Sequence, residues 1–210
     1  GTFYNNTKIT SVTIPKSVSG IGMRAFAGCT SLKTVVLPDT ITLLDKESFA
    51  NCTAITNITV PASVEVMGES VFFGCKNLKT AKLLTSCPIS RGLFADCKNL
   101  TSVAVSAKIT GVGELSFYNC SKLTEISLPE TVKSIHTDAF KGASKVTVYC
   151  DSTSYAYKQL TKSGIKVAQI GDSNMDNTLS IKDATHIQKA TADIVKLDFW
   201  QAHLALVSIS

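Results

Sequence analysis

The sequence is poor in the residues that build most catalytic and metal sites. It contains one Trp and three His among its 210 residues. His136, His186 and His203 are far apart, and none has a Ser, Cys or carboxylate partner at a catalytic or metal-binding spacing. The sequence offers no mechanism for catalysis, and we therefore expect that the protein is not an enzyme.

Long apolar runs are also missing. No run approaches the roughly 18 residues that a membrane span requires, and no signal peptide begins at Gly1. We expect no membrane span, and we expect that any targeting segment was removed or lay upstream. The composition, 44% hydrophobic and 18% charged, predicts a folded chain with a sizeable core.

Cysteine is present, but not in the pattern of a disulfide framework. The chain has seven cysteines, an odd number, and no Cys-x-x-Cys pair. Secreted disulfide scaffolds are usually short and rich in cysteine. We therefore predict that no structural disulfide framework exists.

A repeat dominates the sequence. The block "AFAGCTSL" at Ala25 recurs five times with small changes, and the second residue of each block is a Phe that lies 22 or 23 residues from the next one. These residues are Phe26, Phe49, Phe72, Phe94, Phe117 and Phe140. The repeat predicts a solenoid in which successive coils stack on one continuous core.

Five of the cysteines occupy one position of the repeat, three residues after Phe. In the sixth block Ala143 takes that place, which a catalytic or metal site would not tolerate. We therefore predict a ladder of buried thiols that act as small hydrophobes, namely Cys29, Cys52, Cys75, Cys97 and Cys120. The fourth unit lacks one residue and has Leu84 where other units have Pro, so we expect a local irregularity there.

Six copies of this pattern, over about residues 8–148, closely resemble the BspA-like leucine-rich repeats of bacterial surface proteins. The resemblance includes the strand, the Pro, the Ile-Gly pair and the AFxxC block together. It implies an α/β or mainly β solenoid of about six 23-residue repeats. We assign residues 1–168 to this domain, and we expect a helix near residues 155–162 and a strand at residues 165–167 to cap its last coil.

The concave face of such a solenoid should present the middle residue of each strand. We expect these residues to be Thr13, Val36, Thr59, Lys82, Ala104, Ser127 and Thr147. They lack the aromatic residues of a carbohydrate platform and the dense basic stripe of a nucleic-acid surface. Residues 1–168 hold 18 Lys and Arg against 11 Asp and Glu, a charge of +7 that is spread over a large surface. We expect an unknown protein ligand and no nucleic acid.

Residues 169–210 form a second predicted module, which begins with oxygen-bearing side chains at a regular spacing. Counted from Asp172 as position 1, such side chains occupy positions 3, 5, 9 and 12, and position 7 would offer its carbonyl. Ca²⁺ prefers six to eight oxygen ligands. The spacing predicts one calcium ion held by Asp172, Asn174, Asp176, Thr178, Ser180 and Asp183.

An Asp at position 12 followed by "ATHIQKA" resembles dockerin modules, which bind cohesin domains on the scaffold proteins of cellulosomes. The resemblance covers residues 170–207. The loop departs from the usual calcium loop at Asn177, where Gly is usual, and at Asp183, where Glu is usual, and an Asp at position 12 is the dockerin pattern. It implies a helix over residues 181–192. It also implies that the cohesin-binding residues are Ile181, Lys182, Gln188, Lys189 and Asp193.

A complete dockerin has two calcium loops, and the second is not recognisable here. Leu206, Ser208 and Ser210 stand where its ligands should be, so the module is either degenerate or truncated. The sequence as a whole favours a secreted, non-catalytic bacterial protein that docks to a cohesin of a cellulosome-type or cell-surface complex. The alternative is a free-standing surface adhesin in which the calcium loop is only structural.

Overall fold

The computed structural model describes residues 1–169, which form a mainly β solenoid. The elements in chain order are β1 (Ser11–Thr13), β2 (Gly20–Ile21), β3 (Thr34–Val36), β4 (Leu43–Leu44), β5 (Asn57–Val60), β6 (Val66–Met67), β7 (Thr80–Leu83), β8 (Ser102–Val105), β9 (Gly111–Val112), β10 (Glu125–Ser127), β11 (Ser134–Ile135), β12 (Thr147–Cys150), α1 (Tyr155–Lys162) and β13 (Lys166–Gln169).

The strands form two parallel rows along the solenoid. The main sheet has the strand order β5-β7-β8-β10-β12-β13, and the β1-β3 pair lies beside β5. The minor sheet consists of β2-β4-β6 and of the β9-β11 pair. Each main strand alternates buried and outward residues, as in β5, where Ile58 and Val60 point into the core between exposed neighbours. The fold is therefore mainly β.

A continuous stack of phenylalanine rings runs through the core. Consecutive rings have centroids 5.1–5.8 Å apart and planes within 21° of each other. The stack has seven rings, because Phe3 precedes Phe26 by 23 residues and stacks on it. The repeat pattern in the sequence predicted about six coils and did not include this first partial coil, so the solenoid has about seven turns.

The predicted ladder of thiols is confirmed. Cys29, Cys52, Cys75, Cys97 and Cys120 are fully buried and unbridged. Each thiol donates to the carbonyl oxygen of the Phe one coil earlier, at 3.0–3.3 Å, as when Cys52 Sγ donates to Phe26. The ladder thus holds neighbouring coils together with one weak hydrogen bond per coil.

A tight turn after each Phe explains a further repeated feature of the sequence. The second residue after the Phe always has a positive φ, and it is Gly, Asn or Asp, the types that tolerate this conformation. These residues are Asn5, Gly28, Asn51, Gly74, Asp96, Asn119 and Gly142. The turn lets the chain leave the Phe stack and reach the next corner.

The fourth coil is irregular, as predicted. Between β6 and β9 the minor sheet has no strand, and only Ile89 continues it by a single bridge to Val112. Thr85 is fully buried, and its Oγ1 donates to the Val64 carbonyl at 2.6 Å and accepts from the Cys87 N–H at 2.9 Å. These bonds fix the shortened corner of the fourth coil against the third.

The end of the repeats is closed by the predicted helix and strand. Ser154 caps α1 by accepting from the Tyr157 N–H, and Ala156 and Leu160 bury the inner side of the helix. The strand β13 pairs in parallel with β12. Over residues 1–169 no helix is long and apolar enough to cross a membrane.

Candidate functional site

The outer face of the main sheet consists of two columns of residues that alternate with the core positions. One column is Ser11, Thr34, Asn57, Thr80, Ser102, Glu125, Thr147 and Lys166, and the other is Thr13, Val36, Thr59, Lys82, Ala104, Ser127, Tyr149 and Ala168. Strands of one sheet lie about 4.8 Å apart, so each column is a closely spaced row along the solenoid.

One of the expected outward positions needs correction. The sequence analysis placed Thr147 in the row with Ser127, but the register pairs Ser127 with Tyr149 and pairs Thr147 with Glu125. Thr147 therefore lies on the same face but in the column of Glu125, two residues before Tyr149, and it is 5% exposed. The error arose because β12 begins at Thr147, so that residue opens the strand and is not its middle.

Exposure of the outer face falls along the solenoid. Every outward residue of β1, β3, β5 and β7 is exposed, those of β8 and β10 are half-buried, and both of those in β12 are buried. The continuous accessible part of the face therefore lies in the first four main strands and consists of Ser11, Thr13, Thr34, Val36, Asn57, Thr59, Thr80 and Lys82, while Lys166 of β13 is exposed separately, beyond the buried positions of β12. We call these eight residues the accessible face.

The accessible face is uncharged except for Lys82. It offers threonine hydroxyls and methyls, one amide and one exposed valine, Val36, which is 52% exposed. The parallel ladder beneath holds the backbone of each of these side chains in place. Such a surface can exchange hydrogen bonds and small apolar contacts with a partner, but it contains no acid, base or nucleophile pair.

The buried thiols are also unsuited to chemistry. Burial raises the pKa of Cys75 and of Cys120 to about 12, and burial raises the pKa of Cys97 well above its usual value. Since the thiolate is the reactive form, these residues are inert at neutral pH. Their role is packing and hydrogen bonding within the ladder.

A shallow pocket lies beside the first coils, on the side of the tight turns. It has a volume of about 390 Å³ and is lined by residues that include Tyr4, Arg24, Glu47 and Asn51. Arg24 Nε donates to Glu47 Oε2 at 2.6 Å, so the two charged groups in the pocket satisfy each other. The lining holds no His, Cys or Ser that would act as a nucleophile.

The predicted calcium ligands, from Asp172 to Asp183, and the predicted cohesin-binding residues, from Ile181 to Asp193, lie outside the described residues. Within residues 1–169, no group of three or more His, Cys, Asp or Glu side chains is placed to hold a metal ion. The calcium ion and the cohesin therefore stay predictions from the sequence.

The comparison with protein families agrees with the repeat geometry. The family described as BspA type leucine rich repeat region (6 copies) matches this chain over residues 1–114 and 87–200. The chain belongs to this family. No curated protein sequence matches it.

Three solved structures of leucine-rich repeat proteins are similar to this chain. A leucine-rich repeat protein from Eubacterium ventriosum is 24% identical, with a TM-score of 0.55 over 64% of this chain and 43% of that one. A leucine rich cell surface protein from Faecalibacterium prausnitzii is 22% identical, with a TM-score of 0.39 over 85% of this chain and 64% of that one. A leucine rich repeat protein from T. pallidum is 18% identical, with a TM-score of 0.45 over 90% of this chain and 84% of that one.

The fold likeness to known structures rests on the Eubacterium protein, and the chain spans less than half of its length. The likeness shows the fold of a leucine-rich repeat solenoid. The residues of the solenoid that are placed to contact a partner are those of the accessible face.

Proposed function

We propose that this chain is an extracellular, non-catalytic bacterial binding protein whose accessible face binds a protein partner. The observation that supports this proposal is the exposure of all eight outward residues of β1, β3, β5 and β7 on one rigid face. Repeat solenoids bind through extended surfaces of this kind. The Faecalibacterium structure carries the description "cell surface protein", which agrees with an extracellular location.

A charge placed in the centre of the accessible face tests this proposal. Thr59 is exposed on β5, and Thr137 is exposed between β11 and Phe140, away from the main sheet. An array of bacterial and host extracellular proteins should show binding of the unmodified chain that Thr59→Arg abolishes and Thr137→Arg retains. If Thr59→Arg binds the same proteins as tightly as the unmodified chain does, the accessible face is not the binding surface.

We also propose that residues 169–210 are a degenerate dockerin that binds a cohesin when one calcium ion orders its loop. The ligand spacing from Asp172 to Asp183 supports this proposal. A single calcium loop would leave one cohesin-binding face, at Ile181, Lys182, Gln188, Lys189 and Asp193. The chain would then attach the solenoid to a scaffold or cell-surface complex.

A panel of cohesins, with calcium and with a chelator, tests the docking proposal. Removing two charged oxygen ligands with Asp172→Asn and Asp183→Asn should abolish both calcium binding in calorimetry and cohesin capture. The matched control is Asp39→Asn with Glu130→Gln, which makes the same charge change on exposed residues of the solenoid. Lys182→Glu with Lys189→Glu should weaken cohesin binding by more than about 1 kcal/mol.

The adhesin alternative predicts a different result in the same experiments. It expects no capture by any cohesin, together with intact binding through the accessible face. Calcium would then raise the thermal stability of the chain without changing what it binds.

A further inference from the structure

In the part of the chain that the structure describes, lysines that form no ion pair follow one edge of the solenoid. In each coil a short segment connects the thiol position to the start of the main strand, with four residues in the first six coils and three in the last. We call the row of these segments the basic corner; it consists of residues 7–10, 30–33, 53–56, 76–79, 98–101, 121–124 and 144–146. The basic corner contains seven lysines and no Asp or Glu, the lysines being Lys8, Lys33, Lys76, Lys79, Lys98, Lys122 and Lys145.

Hydrogen bonds between coils show that these segments stack directly. The Lys79 N–H donates to the Thr56 carbonyl at 2.8 Å, and the Thr101 N–H donates to the Lys79 carbonyl at 2.9 Å. Asn99 Nδ2 donates to the Lys76 carbonyl at 2.8 Å. Lysines that are far apart in the sequence are therefore neighbours on the surface, and all seven are exposed.

On another edge of the solenoid, the charged side chains form ion pairs. Along the side of the tight turns, cations and carboxylates of consecutive coils pair, with Arg24 to Glu47 at 2.6 Å, Lys46 to Glu69 at 3.5 Å and Arg91 to Glu114 at 2.9 Å. Across residues 1–169, no lysine of the basic corner forms an ion pair.

Two carboxylates lie near the basic corner. Asp96 Oδ1 accepts a hydrogen bond from Asn119 Nδ2 at 3.1 Å, and Glu125 is half-buried at the start of β10. Both belong to the coils that also carry Lys98 and Lys122, and neither pairs with them. The net charge of this edge therefore remains positive.

The spacing of the basic corner makes its charges act together. Lysines occur in four consecutive coils, from Lys76 to Lys145, and neighbouring strands lie about 4.8 Å apart. This step is shorter than the Debye length of about 8 Å at physiological salt, so adjacent ammonium groups feel one another. A ligand with regularly spaced negative charges relieves this repulsion and releases its own counterions.

We propose that the basic corner binds a linear acidic polysaccharide, one that carries carboxylate or sulfate groups. The segments contain no aromatic residue for stacking bases and no Arg, which disfavours a nucleic acid as the ligand. Between the lysines they expose hydroxyl and amide side chains, such as Thr30, Asn77 and Thr124, which suit the hydroxyls of a sugar. This surface is separate from the accessible face and would bind its ligand independently of it.

Neutralising the centre of the basic corner tests the proposal. The test variant of the full chain combines Lys76→Gln, Lys79→Gln, Lys98→Gln and Lys122→Gln. The control variant combines Lys16→Gln, Lys46→Gln, Lys133→Gln and Lys141→Gln, which removes the same charge from exposed lysines elsewhere. The probes are heparin, a carboxylated polysaccharide such as polygalacturonate, a DNA oligonucleotide and polyglutamate, each titrated at several salt concentrations. Urea unfolding checks that both variants keep the stability of the unmodified chain.

The proposal expects the unmodified chain to bind at least one of the two polysaccharides more tightly than DNA or polyglutamate. The test variant should lose about tenfold or more in affinity, with a smaller dependence on salt, while the control loses about twofold or less. Binding of sulfated but not carboxylated sugar, or the reverse, identifies the acidic group. Equal losses in the two variants would mean that only net charge matters, and tighter binding to DNA or polyglutamate would mean that the ligand is not a polysaccharide; either result overturns the proposal.

Discussion

The third and fourth coils share the same repeat, but the third has a strand in both sheets and the fourth has a strand only in the main sheet. The third coil, residues 49–71, contains β5 and β6, whereas the fourth, residues 72–93, contains β7 and only the single bridge at Ile89. Yet the ring of Phe72 lies 5.8 Å from that of Phe49 and 5.7 Å from that of Phe94. The loss of one residue therefore leaves the ring stack unchanged.

The difference shows which part of a coil maintains the stacking. The Phe and Cys positions continue through the fourth coil, with Cys97 Sγ donating to the Phe72 carbonyl at 3.1 Å. The missing residue is absorbed in the corner after β7, where Leu84 replaces Pro and Thr85 turns inward. The side of the rings and thiols sets the register, and the opposite corner tolerates change.

The largest expected effect comes from breaking the ring stack. Phe72→Ala should destabilise the solenoid by about 3–5 kcal/mol, because the ring is fully buried between two others. Phe3→Ala should cost about 1 kcal/mol, since Phe3 is 41% exposed and stacks on one ring only. Equilibrium unfolding in urea measures both. Equal losses in the two variants would show that the stack does not carry the stability of the coils.

A smaller effect should follow from removing the two buried hydrogen bonds of Thr85 in the fourth coil. Thr85→Val keeps the shape of the side chain but loses one donated and one accepted hydrogen bond in a buried place, at a cost of about 1–3 kcal/mol. The control in the third coil is Ser63→Ala. Ser63 Oγ donates to the Ile41 carbonyl at 2.7 Å but is half-buried, so water can replace it, and we expect less than about 1 kcal/mol. A larger loss for Ser63→Ala than for Thr85→Val would contradict this reading of the fourth coil.

Much of the fold could be predicted from the sequence because every repeat places the same types of buried residue at the same positions. The Phe spacing predicted the stack, the replaceable cysteine position predicted a buried ladder, and the missing residue before Thr85 predicted an irregular coil. The partial coil at Phe3 was missed although its spacing to Phe26 was in the sequence, because Asn6 stands at the thiol position and hid the block. The error at Thr147 came from choosing the middle of a strand without its register.

The binding surfaces were harder to predict than the fold. The excess of basic residues is visible in the sequence, which predicted a positive charge spread over a large surface. The lysines of the basic corner occupy three different positions of the repeat, so no single column of the aligned blocks is basic. Only the stacking of the corners brings Lys79, Lys98 and Lys122 together. The decrease in exposure along the outer face likewise depends on packing and cannot be recognised in the strand sequences.

The smallest expected effect concerns the thiol ladder that both coils share, and it appears only in alkaline solution. Burial raises the pKa of Cys75 from its ordinary value of 9.0 to about 12. Above pH 9 the unfolded chain therefore loses this proton while the folded chain keeps it, so ionisation favours unfolding and stability falls as the pH rises toward 12.

Comparison with a variant that lacks this thiol isolates its contribution. Between pH 8 and pH 10 the unmodified chain should lose about 1 kcal/mol more stability than Cys75→Ala does, and Ser63→Ala should follow the unmodified chain. Urea unfolding of the three chains at the two pH values gives the six free energies needed. The variant will be less stable at both pH values because of its cavity, so the comparison rests on the change with pH and not on either value alone. Parallel pH dependence in the unmodified chain and in Cys75→Ala would show that the thiol is not held in its protonated form by the folded coils.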